Sequence, residues 1–575
     1  MKKELKDFSL KHSTSHLMAS AVKELYPDVK VTIGPPTDEG FYYDFDNLEI
    51  SDEDLKKIEK KMRQIAEKNL EFTVKEVPKA EAKKLLEEEP YKLELIEDIE
   101  NKITFYSHGD FTDLCAGPHV KSTKEIRHFK LMSIAGAYWR GDSNNKMLTR
   151  IYGVVFNTEK ELKAHLQLLE EAKKRDHKKL GKELDLFTFS ELVGPGLPLW
   201  TPKGTKIREA IDNFIWEMRK EKGYEKVTIP HITKKELYER SGHWAKFKDD
   251  LFQIKTRDGH IFAMKPMNCP HHTQIFDSRQ RSYKDMPQRY CETTMVYRDE
   301  QSGELQGLSR VRSITQDDAH VFCTNKQVED EINAIWDIVD RFYSTFGFNL
   351  EIRFSTHDPD NFETYMGSKE AWENSEKKML EVIQKRKVKF IDGVGEAAFY
   401  GPKIDFIAKD SLEREWQVAT IQLDFNQPEG FNLNFMNEKG EKERAVMIHA
   451  AITGSLERFM SILIEHVAGK FPLWLSPEQI RVLTITDRSN EYAEEICKKL
   501  TEAGLRASVD PKSHSISKKV REAQLAKVNY MVTLGDKEVE KKTLSIRTRD
   551  GKVKFDVKVE DFIKDLKKEV EEKSK

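Results

Sequence analysis

Apolar residues recur along the chain at the intervals of amphipathic helices. One such helix is opened by Ser51, and its apolar stripe has helical spacing. The stripe consists of Leu55, Ile58, Met62 and Ile65. A second, more charged helix is predicted over residues 158–180, and its narrow apolar stripe is typical of a connector between domains. The members of that stripe are Leu162, Leu166, Leu169 and Ala172.

Short apolar runs predict strands in the second half of the chain. Residues 447–460 start as a strand, turn at Gly454 and Ser455, and continue as a helix. Three further runs follow Pro477 and alternate with helical segments, and residues 559–571 form a last helix. The runs cover residues 480–486, 506–510 and 529–535. This order predicts a βαβαβ unit with a closing helix.

These changes of pattern divide the chain into three blocks and a connector. The predicted fold class is α+β and multidomain, with an α/β block at the C-terminus. The boundaries are residues 1–155, the connector 156–186, residues 187–475 and residues 476–575. The last boundary lies where a proline coincides with a change of pattern.

Composition predicts a cytoplasmic protein without a membrane partner. Of 575 residues, 38% are hydrophobic and 34% are charged, which is enough apolar content for several cores. The net charge is −3, so any contact with nucleic acid depends on local basic patches. The 5 cysteines are scattered and odd in number, which favours a reducing compartment. The N-terminus lacks an apolar signal region, and no apolar run approaches the ~18 residues of a membrane span.

Isolated arginines in a predicted hairpin are candidates for binding phosphate. Arg298 and Glu300 are two residues apart, so we expect them on one face of a strand. A second strand is predicted over residues 309–322, with Arg310 and Arg312 on one face. An arginine held in a site donates bidentate hydrogen bonds to phosphate. Surface salt bridges are the alternative for these residues.

A second phosphate-binding candidate is the strand-to-helix turn at Gly454. Glycine there lets backbone N–H groups approach an anion, and Arg458 lies in the first turn of the helix. Together with Arg298 and Glu300, this turn resembles the second and third signature motifs of class II aminoacyl-tRNA synthetases. Residues 201–230, predicted as a helix and then a strand that ends at Pro230, resemble the first. Longer strings are similar to those of threonyl-tRNA synthetases, and the resemblance covers nearly the whole chain. The strings are KPMNCPHH, RVRSITQDDAHVF, AFYGPKIDF, TIQLDF and MIHAAITGSLERF.

The resemblance implies both an architecture and a reaction. The architecture is a catalytic core built on an antiparallel sheet, preceded by an α+β editing domain and followed by an α/β anticodon-binding domain. The reaction is that of a threonine–tRNA ligase: threonine and ATP give threonyl-adenylate, and threonine then passes to the 3′ end of threonine tRNA. Magnesium accompanies ATP, and residues 201–230 form the interface of a homodimer.

The resemblance further implies one zinc ion per subunit, bound by Cys269, His320 and His449. One thiolate and two imidazoles suit zinc and leave a position open for substrate. The amino and hydroxyl groups of threonine would take that position, whereas valine lacks the hydroxyl. The alternative is a buried cysteine and two hydrogen-bonded histidines. His271 is a competing ligand by type, and we expect it to point elsewhere.

Roles for the other pocket residues also follow from the resemblance. Arg298 is expected to hold the α-phosphate of ATP, and Arg458 to hold the γ-phosphate and cover the adenine. His243 matches a family histidine that acts in the transfer of threonine to tRNA. The alternative interpretation of His243 is a surface histidine at the end of a helix. The expected substrate-binding residues are Gln316, Asp318, Tyr400, Gln422 and Glu300. Ile314 stands where a phenylalanine often stacks on adenine, so we expect weaker ATP binding.

Histidines near the N-terminus form a separate candidate site. His12 and His16 share one face of a predicted helix, and Cys115 and His119 repeat their spacing across a predicted tight turn. These ligand types also suit a structural zinc ion. The resemblance points instead to an editing site that hydrolyses seryl-tRNA, with Asp113 nearby. We expect its residues to act without a metal, as general acids and bases or by positioning water. Serine lacks only a methyl group, a difference of about 1–3 kcal/mol that is too small for accurate selection.

At the C-terminus, Glu538 and Arg547 fall at positions that contact anticodon bases in the family. Solvated surface charges are the alternative. Many bacterial relatives carry a small additional domain before the editing domain, whereas the editing motif here begins almost at Met1.

Two other functions compete with the ligase. One is a non-catalytic tRNA-binding paralogue, and the other is a metal-dependent hydrolase that uses only the N-terminal site. The presence of the motif arginines and of all three proposed zinc ligands argues against the first.

Overall fold

The computed structural model describes residues 2–99 and 103–574. Their contacts form two compact units, the first ending at Glu170 and the second starting at Glu171. None of the described helices is both long enough and apolar enough to cross a membrane.

The first unit contains two antiparallel sheets with helices packed on them. Its helices are α1 (Lys2–Leu25), α2 (Asp54–Glu67), α3 (Lys79–Leu85), α4 (Pro90–Glu97) and the start of α5 (Glu159–Arg175). Its strands are β1 (Lys30–Val31), β2 (Phe41–Asp46), β3 (Thr73–Val77), β4 (Ile103–His108), β5 (Phe111–Leu114), β6 (His128–Tyr138) and β7 (Met147–Phe156). One sheet has the strand order β1-β2-β7-β6, and the other has the order β3-β4-β5.

The core of the first unit lies between α1, α2 and the larger sheet. The predicted apolar stripe of α2 is buried in it, together with Leu17 and Val22 of α1 and Phe45 of β2. The helix α2 begins at Asp54 rather than at Ser51, and the Ser51 backbone N–H and hydroxyl both donate to the Asp54 carboxylate at 3.0 Å.

The second unit starts with a large α+β block. Its helices are α6 (His177–Glu183), α7 (Pro202–Glu221), α8 (Lys235–Arg240), α9 (His243–Phe247), α10 (Cys269–Asp277), α11 (Val328–Phe346), α12 (Lys369–Lys385), α13 (Asn426–Gly430) and α14 (Leu456–His466). Its shorter strands are β8 (Phe187–Thr188), β9 (Leu199–Trp200), β10 (Glu225–Lys226), β11 (Ile232–Lys234), β12 (Gln253–Lys255), β13 (Ile261–Met264), β20 (Asn434–Met436) and β21 (Lys442–Arg444). Its longer strands are β14 (Gln288–Tyr297), β15 (Ser313–Cys323), β16 (Leu350–Thr356), β17 (Phe390–Val394), β18 (Lys403–Lys409), β19 (Glu415–Asp424) and β22 (Val446–Ser455).

An 8-stranded sheet is the centre of this block, with the order β10-β14-β15-β22-β19-β18-β16-β17. The outermost pairs are parallel, and all pairs between them are antiparallel. The predicted antiparallel core is therefore confirmed. Residues of α7, α11 and α14 form one hydrophobic core with this sheet.

Strand alternation assigns the residues of β15 to two environments. Ala319, Val321 and Cys323 are buried in the hydrophobic core, whereas Asp318 and His320 line a cavity on the other face. Successive side chains of a strand point to opposite faces, so one strand serves both the core and the site.

The C-terminal part of the second unit is a smaller layered α/β structure. Its helices are α15 (Asn490–Glu502), α16 (Ile516–Leu525), α17 (Asp536–Lys541) and α18 (Val559–Glu571), and its strands are β23 (Ile480–Thr484), β24 (Ala507–Asp510), β25 (Tyr530–Leu534), β26 (Thr543–Thr548) and β27 (Val553–Lys558). The strand order is β24-β23-β25-β26-β27. The predicted βαβαβ unit is present, and β26 and β27 extend it antiparallel. Neither β26 nor β27 was predicted from the sequence. In β27 the apolar residues Val553, Phe555 and Val557 alternate with polar ones, although this edge strand is largely exposed.

Three predicted element boundaries were wrong. Strand β14 ends at Tyr297 and β15 begins at Ser313, so the motif arginines lie in the intervening loop rather than on strands. The connector is two helices, because the Asp176 side chain accepts from Lys178 N at 2.7 Å and starts α6. The strand predicted within residues 201–230 is only the two-residue β10.

Candidate functional site

A cavity of about 320 Å³ lies over β15, β19 and β22. Its lining includes most of the predicted site residues of the catalytic block. They are Cys269, Arg298, Gln316, Asp318, His320, Tyr400, Gln422, His449 and Arg458. These residues come from separate parts of the chain, and the antiparallel pairing of the three strands brings them together. His320 faces His449 across the β15–β22 pair, and Gln422 faces His449 across the β19–β22 pair.

Cys269, His320 and His449 form a compact set of metal-ligand atoms. One ligand atom from each residue lies within 4.8 Å of the others. The Nε2 atom of His320 is 3.0 Å from Nδ1 of His449. Cys269 is the first residue of α10, which places its thiol beside the two strands.

The second nitrogen of each imidazole has its own partner. Nε2 of His449 lies 2.9 Å from the carboxylate of Asp424, which can only accept a hydrogen bond when ionised. Nδ1 of His320 lies 2.8 Å from Nδ1 of His272. These contacts leave His449 Nδ1 and His320 Nε2, the two atoms that face each other, available as ligands. The donor set therefore fits a zinc ion.

Burial controls the charge of His320 and of Cys269. It lowers the pKa of His320 well below its usual value, and His449 and Arg219 act in the same direction. The imidazole is therefore neutral at neutral pH, as metal coordination requires. Burial also raises the pKa of the Cys269 thiol, and a cation at this position would reverse that shift.

His271 lies outside the ligand set. Burial lowers its pKa to about 4. Among the described residues, neither of its ring nitrogens has a hydrogen-bond partner.

Two arginines supply positive charge to the cavity. Arg458 is in the first turn of α14, where its N–H donates to the capping Ser455 hydroxyl at 3.1 Å and its Nε donates to Ser309 O at 3.2 Å. Burial lowers the pKa of Arg458, and the neighbouring Arg298 adds to this effect. Two arginines held this close repel each other, so an anion between them is favoured.

Glu300 and its neighbours are arranged differently from the prediction. Glu300 does not line the cavity; its carboxylate accepts from Arg310 Nε at 2.7 Å, and its carbonyl accepts from Arg312 Nε at 2.9 Å. Arg310 also pairs with Glu304 at 3.2 Å. The salt-bridge alternative therefore describes Arg310 and Arg312, and Glu300 holds the loop together.

The remaining predicted residues line or adjoin the same cavity. The Tyr400 hydroxyl donates to Gln422 at 2.9 Å, and Asn268 donates to Asp318 at 3.0 Å. His243 is fully buried, so the alternative of a surface histidine is wrong. Its Nε2 lies 4.0 Å from the Cys269 thiol, and burial lowers its pKa to about 4.

A second cluster lies within the first unit. His12, His16, Cys115 and His119 each offer a ligand atom within 4.8 Å of the others. The Cys115 thiol is 3.3 Å from His12 Nε2 and 3.1 Å from His119 Nε2. Burial raises the pKa of Cys115 to about 12 and lowers the pKa of His119 to about 2.

A buried charged group supports this cluster. Asp113 is 2% exposed, and its carboxylate lies 3.4 Å from His16 Nδ1. It also accepts from the Tyr43 hydroxyl at 2.5 Å and pairs with the buried Lys92 at 2.7 Å. Such a carboxylate orients the His16 ring, since the other two partners hold it in place.

Glu538 and Arg547 line a separate cavity of about 570 Å³ in the C-terminal part. The Glu538 carboxylate accepts from Gly535 N at 2.9 Å and from the Ser545 hydroxyl at 2.7 Å. Its position is therefore set by the start of α17. Phe555, which is 71% exposed, lines the same cavity.

Three family models match successive parts of the chain. The class II core domain of tRNA synthetases (G, H, P, S and T) matches residues 252–467. An anticodon binding domain matches residues 479–569. The second additional domain of threonyl and alanyl tRNA synthetases matches residues 103–152.

Comparison over the full length is more specific. A threonine–tRNA ligase of Flavobacterium johnsoniae is 47% identical over 567 residues, which cover 97% of this chain and 88% of that protein. A threonine–tRNA ligase of Rubrobacter xylanophilus is 48% identical over 569 residues, 98% of this chain and 89% of that protein. The chain belongs to the threonine–tRNA ligase family.

A solved structure agrees with this assignment to the threonine–tRNA ligases. The structure of the RNA binding domain of threonyl-tRNA synthetase from Cryptosporidium parvum matches with a TM-score of 0.65 and 35% identity, over 68% of this chain and 98% of that one. The fold class and the enzyme class predicted from the sequence are confirmed.

Several residues that support the two sites were not recognised in the sequence. Asp424 and His272 hold the two imidazoles, and both lie in strings that were quoted for the resemblance. Lys92 and Tyr43 had no motif around them. A carboxylate and a lysine 21 positions apart, at 113 and 92, carry no local signal of pairing.

Proposed function

We propose that the protein activates threonine with ATP and transfers it to the 3′ end of threonine tRNA. One observation carries the proposal: a thiol and two imidazoles share a cavity with Arg298 and Arg458, two arginines suited to phosphate that form no ion pair with any described residue. The thiol and the imidazoles suit recognition of a small polar amino acid, and the two arginines suit binding of ATP.

The arginines act on the phosphates. When the carboxylate of threonine attacks the α-phosphorus, negative charge builds on the phosphate oxygens, and Arg298 stabilises it. A carboxylate oxygen–phosphorus bond forms, and the bond from that phosphorus to the oxygen of the leaving diphosphate breaks. Arg458, anchored on Ser309 O, holds the γ-phosphate and covers the adenine. Magnesium accompanies ATP.

The rest of the cavity orients threonine. The buried Oε1 atom of Gln316 has no hydrogen-bond partner among the described residues, and Asp318 is buried beside it, so both suit the ammonium group. Tyr400 and Gln422 bond each other and line the same wall. When bound by Cys269, His320 and His449, a zinc ion supplies a Lewis-acid position for the amino and hydroxyl groups of threonine.

Transfer to tRNA involves His243 and the C-terminal part of the chain. A neutral imidazole with a pKa lowered to about 4 is suited to accept a hydrogen bond, and His243 adjoins the thiol side of the cavity. Glu538 and Arg547 are proposed to contact anticodon bases from the C-terminal cavity.

A second activity, hydrolysis of seryl-tRNA, is proposed for the cluster in the first unit. His16 and the Cys115 thiol are buried. Desolvation lowers the pKa of all three histidines and raises that of the thiol, so the groups are uncharged, which suits positioning of water rather than nucleophilic attack by a thiolate. Asp113 and Lys92 then hold His16 in a fixed orientation.

Assembly, location and domain limits complete the proposal. We propose a homodimer in the cytoplasm, with one zinc ion per subunit. All 5 cysteines are free, which supports a reducing compartment. The proposed limits are residues 1–155 for editing, 156–186 for the connector, 187–475 for catalysis and 476–575 for anticodon binding.

The test is amino-acid-dependent exchange between ATP and pyrophosphate, measured with the metal content of the same sample. Threonine should support rapid exchange, serine should support slower exchange, and valine should support none above background. One zinc ion per chain is expected. Arg298→Ala should lower the exchange rate at least about 100-fold, because a stabilising charge in the transition state is lost.

Arg386→Ala is the matched control, because this arginine bonds Asp337 and Asn333 outside the cavity. It should leave exchange within about twofold of the wild type. Exchange with valine as fast as with threonine, or no exchange with any amino acid, would contradict the proposal.

A further inference from the structure

We propose that His177 is a positioning residue for adenylate formation, because it holds the loop between β14 and β15 against the helix that carries Arg458. The proposal rests on the ATP-binding function proposed above. His177 lies within the predicted connector, residues 156–186, to which no chemical role was assigned. In the structure it is 4% exposed and begins α6.

His177 joins two elements of the catalytic block through its ring. Its Nδ1 lies 2.6 Å from the Glu465 carboxylate of α14, and its backbone N–H donates to the same oxygen at 3.0 Å. On the other side of the ring, the backbone N–H of Leu308 donates to His177 Nε2 at 3.0 Å. Glu465 is fixed in turn by an ion pair with Arg414.

The donor and acceptor types leave one arrangement of protons. A backbone N–H can only donate, so His177 Nε2 must accept and carries no proton. The proton is therefore on Nδ1, where it is donated to Glu465. The ring therefore links a carboxylate of α14 to a backbone amide of the loop in one fixed orientation.

The amide that His177 holds is adjacent to a contact of the ATP-binding arginine. Ser309, the next residue, accepts from Arg458 Nε at 3.2 Å through its carbonyl, and its hydroxyl lies 3.0 Å from the Ser461 hydroxyl. Leu308 itself is fully buried in the hydrophobic core. Arg458 is therefore oriented by a carbonyl that lies two peptide units after the Gly307–Leu308 peptide, and His177 fixes that earlier peptide.

Gly307 shows how closely the loop lies on the ring. Its φ is +52°, and a Cβ built there would lie 2.3 Å from His177 Nε2. Only glycine allows the loop to make this approach without strain or displacement of the ring. The loop is therefore shaped to contact His177.

The test compares three full-length variants in threonine-dependent ATP–pyrophosphate exchange. His177→Leu and His177→Ala remove the acceptor, and the KM for ATP should rise about three- to tenfold, as expected for one buried hydrogen bond. The KM for threonine should stay within about twofold. His177→Gln offers Oε1 as an acceptor to Leu308 N and should restore the KM for ATP to nearly the wild-type value.

Hydrogen exchange gives a readout that does not depend on catalysis. In the absence of ATP, the segment 301–312 should exchange its amide hydrogens faster in His177→Leu than in the wild type. His357→Ala is the matched control, because His357 binds Glu376 through the same pair of atoms, N at 2.9 Å and Nδ1 at 2.7 Å. It should leave both the exchange of this segment and the KM for ATP unchanged.

Two results would overturn the role of His177: an unchanged KM for ATP with unchanged hydrogen exchange in His177→Leu, or equal increases in the KM values for ATP and threonine. A His177→Gln variant as impaired as His177→Leu would also exclude the acceptor role. Absence of exchange activity in the wild-type protein would instead contradict the proposed function, and the hydrogen-exchange comparison would still decide whether His177 holds the loop.

Discussion

At the scale of single residues, burial keeps His320 of the cavity and His16 of the first unit uncharged. Desolvation is the largest cause of the lowered pKa of His320 in the cavity and of His16 in the first unit. The same effect raises the pKa of Cys115 to about 12, so this residue is a thiol at neutral pH. The two clusters have similar side chains, and the one in the cavity lies beside Arg298 and Arg458, the arginines proposed to bind phosphate.

The editing proposal is tested at this scale with the double variant His12→Ala, His16→Ala. Hydrolysis of seryl-tRNA should fall about 100-fold, because the groups that position water are removed. Threonine-dependent exchange should not change. The measurement is the release of serine from preformed seryl-tRNA.

His165→Ala is the control for that experiment. This histidine lies in the same unit, packs against Phe156 and is outside the cluster. It should hydrolyse seryl-tRNA at the wild-type rate. Undiminished hydrolysis by the double variant would rule out a role for the two histidines.

At the scale of elements, two buried carboxylates connect β15 to β22 and α14. Asp317 accepts from Ile452 N at 2.8 Å and Thr453 N at 2.9 Å, and pairs with Arg219 of α7 at 3.2 Å. Glu457 of α14 accepts from the backbone N–H of Thr315 at 2.7 Å. Thr315 and Asp317 alternate along β15 with the residues that line the cavity. Their contacts therefore set the positions of the cavity side chains.

We predict that Asp317→Ala destabilises the second unit by about 3–5 kcal/mol, because Arg219 is left buried without its charge partner. Urea denaturation followed by circular dichroism measures this change. Glu221→Ala, which removes the exposed ion pair with Arg341, should cost less than about 1 kcal/mol. Equal effects of the two substitutions would show that burial of the Asp317–Arg219 pair is unimportant.

At the scale of the whole molecule, an apolar loop supports the proposed homodimer. Leu192 is fully exposed, and Phe189, Val193 and Leu199 are also exposed in the segment that precedes α7. Exposed apolar side chains that cluster in this way mark contact surfaces. Because the segment adjoins residues 201–230, the predicted interface, a second copy of this chain is the proposed partner.

The double variant Leu192→Asp, Val193→Asp should therefore shift the protein from dimer to monomer. Sedimentation velocity at several concentrations measures the change. Leu525→Asp is the control, since Leu525 is 66% exposed on α16, away from the loop in sequence, and should leave the mass unchanged. A wild-type protein that is monomeric at all concentrations would contradict the homodimer.

Prediction from sequence succeeded where the signal was local. The stripe of α2, the strand and helix on either side of Gly454, and the helix α18 all follow from spacing. Arg310 and Arg312 were placed on a strand, although they lie in an irregular loop held by Glu300. Alternate positions in the sequence look the same in a strand and in such a loop. Lys92 and His177 were missed, because their partners are distant along the chain.

The sequence by itself determined the family, the order of the elements and the types of side chain available for each reaction, because periodicity and motif strings are local properties. Only the tertiary structure decided which groups meet. Strand pairing places His320 opposite His449, and burial then sets the charge of His320. Both depend on atoms that are far apart in the chain, so no local pattern contains them.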